Sequence, residues 1–304
     1  MTKTGFIWLE GRGVIEIAGE DAREFLQGLI SNDVFKVADD RAVYAAFLTA
    51  QGKYLHDFFI VDRAGALLLD CEKQRLADLK RRLGMYKLRS KVTLADRTEE
   101  LAVAAVIGDG GAERVGLAPE PAGAAAPFAN GVAYVDPRLA AMGVRMVLPR
   151  DGAPAALDGT GLAALGQADY DRLRIRLGLP DGSRDMDVEK AILLENGFDE
   201  LHGVDWEKGC FLGQELTART KYRGLIKKRL MPVDVDGPLP APGTPVMFEG
   251  KEIGEVRSGA GDVAVALIRL AALEQVSGAD AAFTAGEARL NPVKPTWAVF
   301  QTAD

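Results

Sequence analysis

Val14-Ile15-Glu16-Ile17 alternates like a strand. After Gly19-Glu20-Asp21 the spacing changes. Phe25, Leu26 and Leu29 fall on one face of a helix over 22–30, which Ser31-Asn32-Asp33 ends with turn chemistry. Apolar runs at 43–49, 58–61 and 67–70 read as strands, with Gln51-Gly52-Lys53 and Arg63-Ala64-Gly65 as hairpin turns. A helix over 72–83 carries Leu76, Leu79 and Leu83 on one side, and strands follow at 91–94 and 101–107. Residues 118–131, rich in Ala, Pro and Gly, read as a surface loop, and 144–148 as a strand. A helix over 166–177 sets Leu173 and Leu177 on one side, and Pro180-Asp181-Gly182 closes it. Residues 238–245 hold four prolines, which places a domain boundary just before them, near Leu230. Short strands at 246–248, 254–256, 263–268 and 297–300 then have the look of a small β-barrel or sandwich. Helices interspersed with hairpins predict α+β layers rather than a doubly wound parallel sheet.

The 304 residues point to two or three domains, and 48% hydrophobic with 27% charged residues is the ordinary globular balance. A net charge of −7 argues against a protein that coats nucleic acid, so direct nucleic-acid binding is not expected. Two cysteines, Cys71 and Cys210, and two histidines, His56 and His202, make neither a disulfide framework nor a metal cage. No apolar run approaches the ~18 residues of a membrane span. No basic start followed by an apolar run is visible, so the expectation is a reducing cytoplasm without membrane contact.

The most informative run is 203–229, GVDWEKGCFLGQELTARTKYRGLIKKR. Lys208-Gly209-Cys210 reads as a tight turn before a helix starting near Gly213. A helix N-terminus and a neighbouring ammonium both favour a thiolate. The plain alternative for Cys210 is a small buried hydrophobe. The basic residues Lys221, Arg223, Lys227, Lys228 and Arg229 read as a solvated face, a dock for an anionic tail, or a phosphate contact.

KGCFLGQELTAR resembles the motif of the YgfZ family, Lys-Gly-Cys-Tyr/Phe-x-Gly-Gln-Glu. YAAFLTAQGKYLHDFFIVD, MYKLRSKVTL, RIRLGLPDGSRD and LLENGFDELHGVDWEKGC resemble further parts of the same family, whose fold is that of the glycine-cleavage T-protein. The nearest look is to bacterial relatives of that family's mitochondrial iron–sulfur assembly factor. The resemblance implies a three-domain cloverleaf around a central folate-binding opening. The implied domains are a discontinuous core over 1–45 and 140–229, a ferredoxin-like second domain over 46–139, and a C-terminal β-barrel over 230–304. It implies tetrahydrofolate or a derivative as cofactor, with a transient iron–sulfur cluster not held stably by this chain. Folate and iron–sulfur assembly or client proteins are the implied partners, tRNA-modifying enzymes among the clients.

Residue by residue, Lys208, Gly209, Cys210, Gly213, Gln214 and Glu215 match the motif, and Cys210 is the implied functional thiol. Tyr170 falls at a folate-stacking position, or is an ordinary core aromatic. Asp57 matches a T-protein carboxylate near folate, but His56-Asp57 stands where the T-protein has an acidic pair. Arg176 replaces a pterin-binding glutamate, leaving Glu195 or Glu215 as substitutes. Arg229 belongs to the candidate dock for the folate tail, and Asn32 and Asp33 to a capping turn. The expected function is a folate-binding accessory protein for iron–sulfur cluster assembly or repair, without classical turnover. The alternative is a tetrahydrofolate-dependent aminomethyltransferase.

Overall fold

The computed structural model describes residues 3–224, 226–276 and 283–299. The chain folds into two compact units, one of residues 1–50, 55–170 and 202–214, the other of 51–54, 171–201 and 215–304.

The first unit contains eleven strands in chain order: β1 (Gly5–Trp8), β2 (Arg12–Ala18), β3 (Val43–Leu48), β4 (Tyr54–Arg63), β5 (Ala66–Glu72), β6 (Thr93–Asp96), β7 (Leu101–Ile107), β8 (Ala125–Phe128), β9 (Gly131–Val135), β10 (Val144–Pro149) and β11 (Ala163–Ala164). They form a six-stranded sheet, β11-β1-β7-β10-β9-β8, and a five-stranded sheet, β3-β4-β5-β2-β6. The β4–β5 hairpin turns through Ala64 and Gly65 at φ 53° and 84°, the positive φ pair that matches strand twist. Helix α1 (Ala22–Gln27) is shorter than its sequence pattern. Helix α2 (Leu76–Tyr86) buries Leu76, Leu79 and Leu83, the stripe read from the sequence.

The predicted loop at 118–131 contains strand β8. Its pairing with β9 is made by Ala129 and Asn130 at φ 47° and 60°, a tight turn ahead of Gly131 that outweighs the low strand propensity of Ala and Pro.

In the second unit, β12 (Lys228–Asp236), β13 (Pro245–Phe248), β14 (Lys251–Ala260), β15 (Val263–Arg269), β16 (Phe283–Ala285) and β17 (Ala288–Pro292) make the expected barrel. Pairing of β17 with β12 closes it, so no sheet edge remains. A strand was expected at 297–300, and the described residues 297–299 form none. Trp297 lies in a turn, its indole N–H bonded to the Leu177 carbonyl at 2.7 Å, and Phe300 lies outside the described residues.

The helix Gln167–Arg176 also differs from its pattern. It leaves Leu173 and Leu177 half-buried and buries Asp171, Arg174 and Ile175. Arg174 is tolerated inside because its guanidinium donates to Asp171 at 3.2 Å, Asp185 at 2.8 Å, the Leu179 carbonyl at 3.1 Å and Ser258 Oγ at 2.6 Å.

Candidate functional site

Cys210 lies in the first unit and is exposed, so its reading as a buried hydrophobe does not hold. The turn before it is Gly209, at φ 87°, with open space where a Cβ would sit. Helix Gln214–Tyr222 follows, and the Gln214 side chain accepts from the Phe211 N–H at 3.2 Å.

The loop carrying the thiol is clamped to the end of α1. Lys208 Nζ donates to three carbonyls, those of Gln27 at 2.7 Å, Ile30 at 2.6 Å and Asn32 at 2.7 Å. The Gln27 carbonyl ends α1, where carbonyls lack intrahelical partners and carry partial negative charge, and those of Ile30 and Asn32 belong to the turn that follows; together they suit an ammonium. Burial lowers the Lys208 pKa to about 8, and the ammonium lies 5.3 Å from the centre of the Phe211 ring. The Leu212 N–H reaches the Gly28 carbonyl at 3.0 Å, and the Asp205 N–H the Ser31 carbonyl at 2.9 Å. Buried Ser31 donates to the Gly203 carbonyl at 2.6 Å. Buried Asn32 donates to the carbonyls of Tyr44 and His202, both at 2.7 Å. Asp33 caps the following turn by accepting from the Phe35 N–H at 3.0 Å. Asn32 and Asp33 thus serve as capping and latching residues, and the ammonium of Lys208 is committed to carbonyls.

Asp57 and Tyr170 lie in the interior of the same unit. Asp57 accepts from the buried Tyr44 hydroxyl at 2.8 Å. Its neighbour His56 bonds Asp78 at 3.0 Å, and burial pulls its pKa down to about 4, so the imidazole is neutral near pH 7. Tyr170 is a core aromatic here, its hydroxyl accepting from Arg145 at 2.7 Å.

Around these residues runs an ionic core that sequence reasoning missed. Asp70 binds Arg12 at 2.6 Å and Arg145 at 2.5 Å, and Arg138 binds Asp136 at 2.8 Å. All three guanidiniums sit within 5.7 Å of the centre of the Phe59 ring. The signal was a lone charge inside an apolar strand, Asp70 in LLLDC and Arg145 in VRMVL.

The remaining candidates belong to the second unit. Arg176 is exposed and lies 3.5 Å from Asp262. Glu215 is exposed and pairs with Arg219 at 3.0 Å. Arg229 is fully buried, donating to Glu200 at 2.6 Å and the Leu194 carbonyl at 2.8 Å, so it belongs to the packing at the barrel's start rather than to a basic surface. Glu195 is half-buried in a short 3-10 turn, Leu193–Asn196. Burial raises its pKa against the pull of Lys228, Lys53 and Arg229. Among the described residues no side chain donates a hydrogen bond to it, so its acceptor capacity is open.

Residues 2–115 match the family described as the GCVT N-terminal domain, and residues 227–300 the CAF17 C-terminal beta-barrel domain. The fold is similar to that of the glycine cleavage system aminomethyltransferase T from Bartonella henselae, with a TM-score of 0.77 at 18% identity, covering 96% of this chain and 86% of that one. The fold class is therefore that of the aminomethyltransferase T proteins.

In sequence, the chain is 36% identical over 286 residues to the mouse mitochondrial iron–sulfur cluster assembly factor IBA57, and 37% identical over 280 residues to the human one. Each match covers 86% of this chain and 76% of the relative. A Neurospora crassa homologue of that factor is 33% identical over 238 residues, covering 76% of this chain and 53% of the relative. The chain belongs to the IBA57 family of iron–sulfur cluster assembly factors. The cytoplasmic expectation is corrected by the same matches, since these relatives are named as mitochondrial.

Proposed function

We propose that this chain is a folate-binding accessory protein for iron–sulfur cluster assembly, with Cys210 as its working thiol. The observation that carries the reading is identity of 36% and 37%, over 86% of the chain, to proteins named as iron–sulfur cluster assembly factors. The geometry supports it by presenting an exposed thiol on a loop held at both ends. Iron–sulfur assembly or client proteins, tRNA-modifying enzymes among them, are the proposed partners, and a cluster would be cargo met transiently at Cys210.

Folate enters through chemistry. The amidine edge of a pterin donates hydrogen bonds and is best matched by a carboxylate. Glu195 fits that requirement, being half-buried with open acceptor capacity. Asp57, whose carboxylate takes the Tyr44 hydroxyl, fits it less well. When bound, a reduced folate supplies a carrier for one-carbon units. Glu195 would orient it, and nearby Lys53 and Lys228 supply positive charge. Aminomethyl transfer is the weaker reading, since a neutral His56 tied to Asp78 stands where the T-protein pattern has an acid.

Anaerobic calorimetric titration with tetrahydrofolate tests this. Saturable binding is expected, weakened at least about tenfold by Glu195→Gln as a charge-assisted bond is lost. No saturable binding would refute the folate part.

A further inference from the structure

The end of α2 carries a surface that is both basic and apolar. Residues 80–91, KRRLGMYKLRSK, contain six basic residues and no acidic one, in a chain of net charge −7. Asp78 takes Arg81 and Arg82, and Glu20 takes Lys91. Lys87 and Arg89 have no carboxylate paired with them among the described residues. Between them stands Leu88, 89% exposed, with Met85 57% exposed one turn back. Tyr86 is held by edge-to-face contact with Phe47, which fixes the tip. Leu88 has φ 42°, a left-handed conformation that disfavours a leucine, and its side chain makes too little core contact to offset that strain. A strained residue that presents an apolar side chain to solvent is better accounted for by what binds it than by folding.

We propose that Leu88 and Met85, ringed by Lys87 and Arg89, form a docking tip for an acidic protein partner, with Leu88 inserting into an apolar pocket and the cations meeting carboxylates. Charge complementarity selects an acidic partner. Tyr, Met and Arg are the residue types enriched at such contacts. Two projecting aliphatic side chains bury less than one acyl chain, which by itself holds a protein on a bilayer only marginally. RNA bases would need an exposed aromatic face at the centre of the patch, where Leu88 stands.

The test uses the full chain and a short fluorescent peptide alternating glutamate with leucine, read by anisotropy. Parallel arms use vesicles of phosphatidylcholine with phosphatidylglycerol, and a single-stranded RNA. Leu88→Asn is the main variant, because asparagine tolerates the left-handed conformation. The expected result is peptide binding that weakens with salt, falls at least about tenfold in Leu88→Asn and in the double variant Lys87→Glu/Arg89→Glu, and is unchanged in Cys210→Ala. The thermal midpoint of Leu88→Asn should stay level or rise, which a merely structural leucine would not give. The proposal is overturned if the peptide fails to bind, if the variants leave binding intact, or if vesicles or RNA bind more tightly with the same dependence on Leu88. The Cys210 and folate reading stands or falls separately.

Discussion

Lys208→Met removes the ammonium while keeping an apolar stem against Phe211. Three bonds from a charged donor are lost, to the carbonyls of Gln27, Ile30 and Asn32. At about 1.5–3 kcal/mol each, these sum to roughly 4.5–9 kcal/mol. Desolvation works against them. Burial lowers the Lys208 pKa to about 8, a sign that desolvation takes back a sizeable part of that sum. The net clamp is then on the order of 3 kcal/mol, or about a hundredfold in the closed-to-open ratio of the loop. Hydrogen exchange reads that ratio locally. The amides of Leu212 and Asp205, bonded across to Gly28 and Ser31, should exchange about a hundredfold faster in the variant, while β-barrel amides such as Val265 are unchanged. If Leu212 and Asp205 exchange at the wild-type rate, Lys208 does not clamp the loop and the reasoning fails.

Other perturbations follow from the same structure. Asp70→Asn removes the carboxylate that neutralises buried Arg145 and half-buried Arg12, and should cost about 3–5 kcal/mol, read as a lower urea midpoint at unchanged slope. His56 has a folded pKa of about 4 against 6.5 unfolded. Between those values the unfolded chain binds more protons, so stability is full above pH 6.5 and falls by up to about 3 kcal/mol as pH drops to 4. His56→Gln should flatten that limb of the stability profile. Gly197→Ala would set a Cβ 2.6 Å from the Trp297 ring at φ 77°, and should lower stability by roughly 2 kcal/mol with a change in tryptophan fluorescence.

Periodicity carried much of the fold. Strands β2, β3, β7, β10 and β15 and the stripe of α2 were legible because one face of each is buried and the other is not, or because the run is apolar throughout. The edge strand β8 was hidden by its Ala-Pro composition, since an edge held by one hairpin needs little propensity of its own. Helix 167–176 misled because burial there follows an ion network. Asp185 and Ser258, which make Arg174 tolerable, lie 11 and 84 residues away in sequence.

The candidate site divides the same way. The exposure of Cys210 follows from glycine and turn chemistry next to it, and was readable. The three carbonyls that capture Lys208 lie 176 to 181 residues away, and no local pattern announces them. Tyr170 and Arg229 looked available from sequence because their partners, Arg145 and Glu200, are set by tertiary packing.

Complementation decides whether Cys210 does the work. In cells lacking their own member of this family, iron–sulfur enzyme activity is measured with wild-type chain or Cys210→Ala supplied at equal level. The side chain is exposed, so the variant should fold with an unchanged thermal midpoint. Wild type should restore the activity and Cys210→Ala should not; full restoration by the alanine variant would show the thiol to be dispensable.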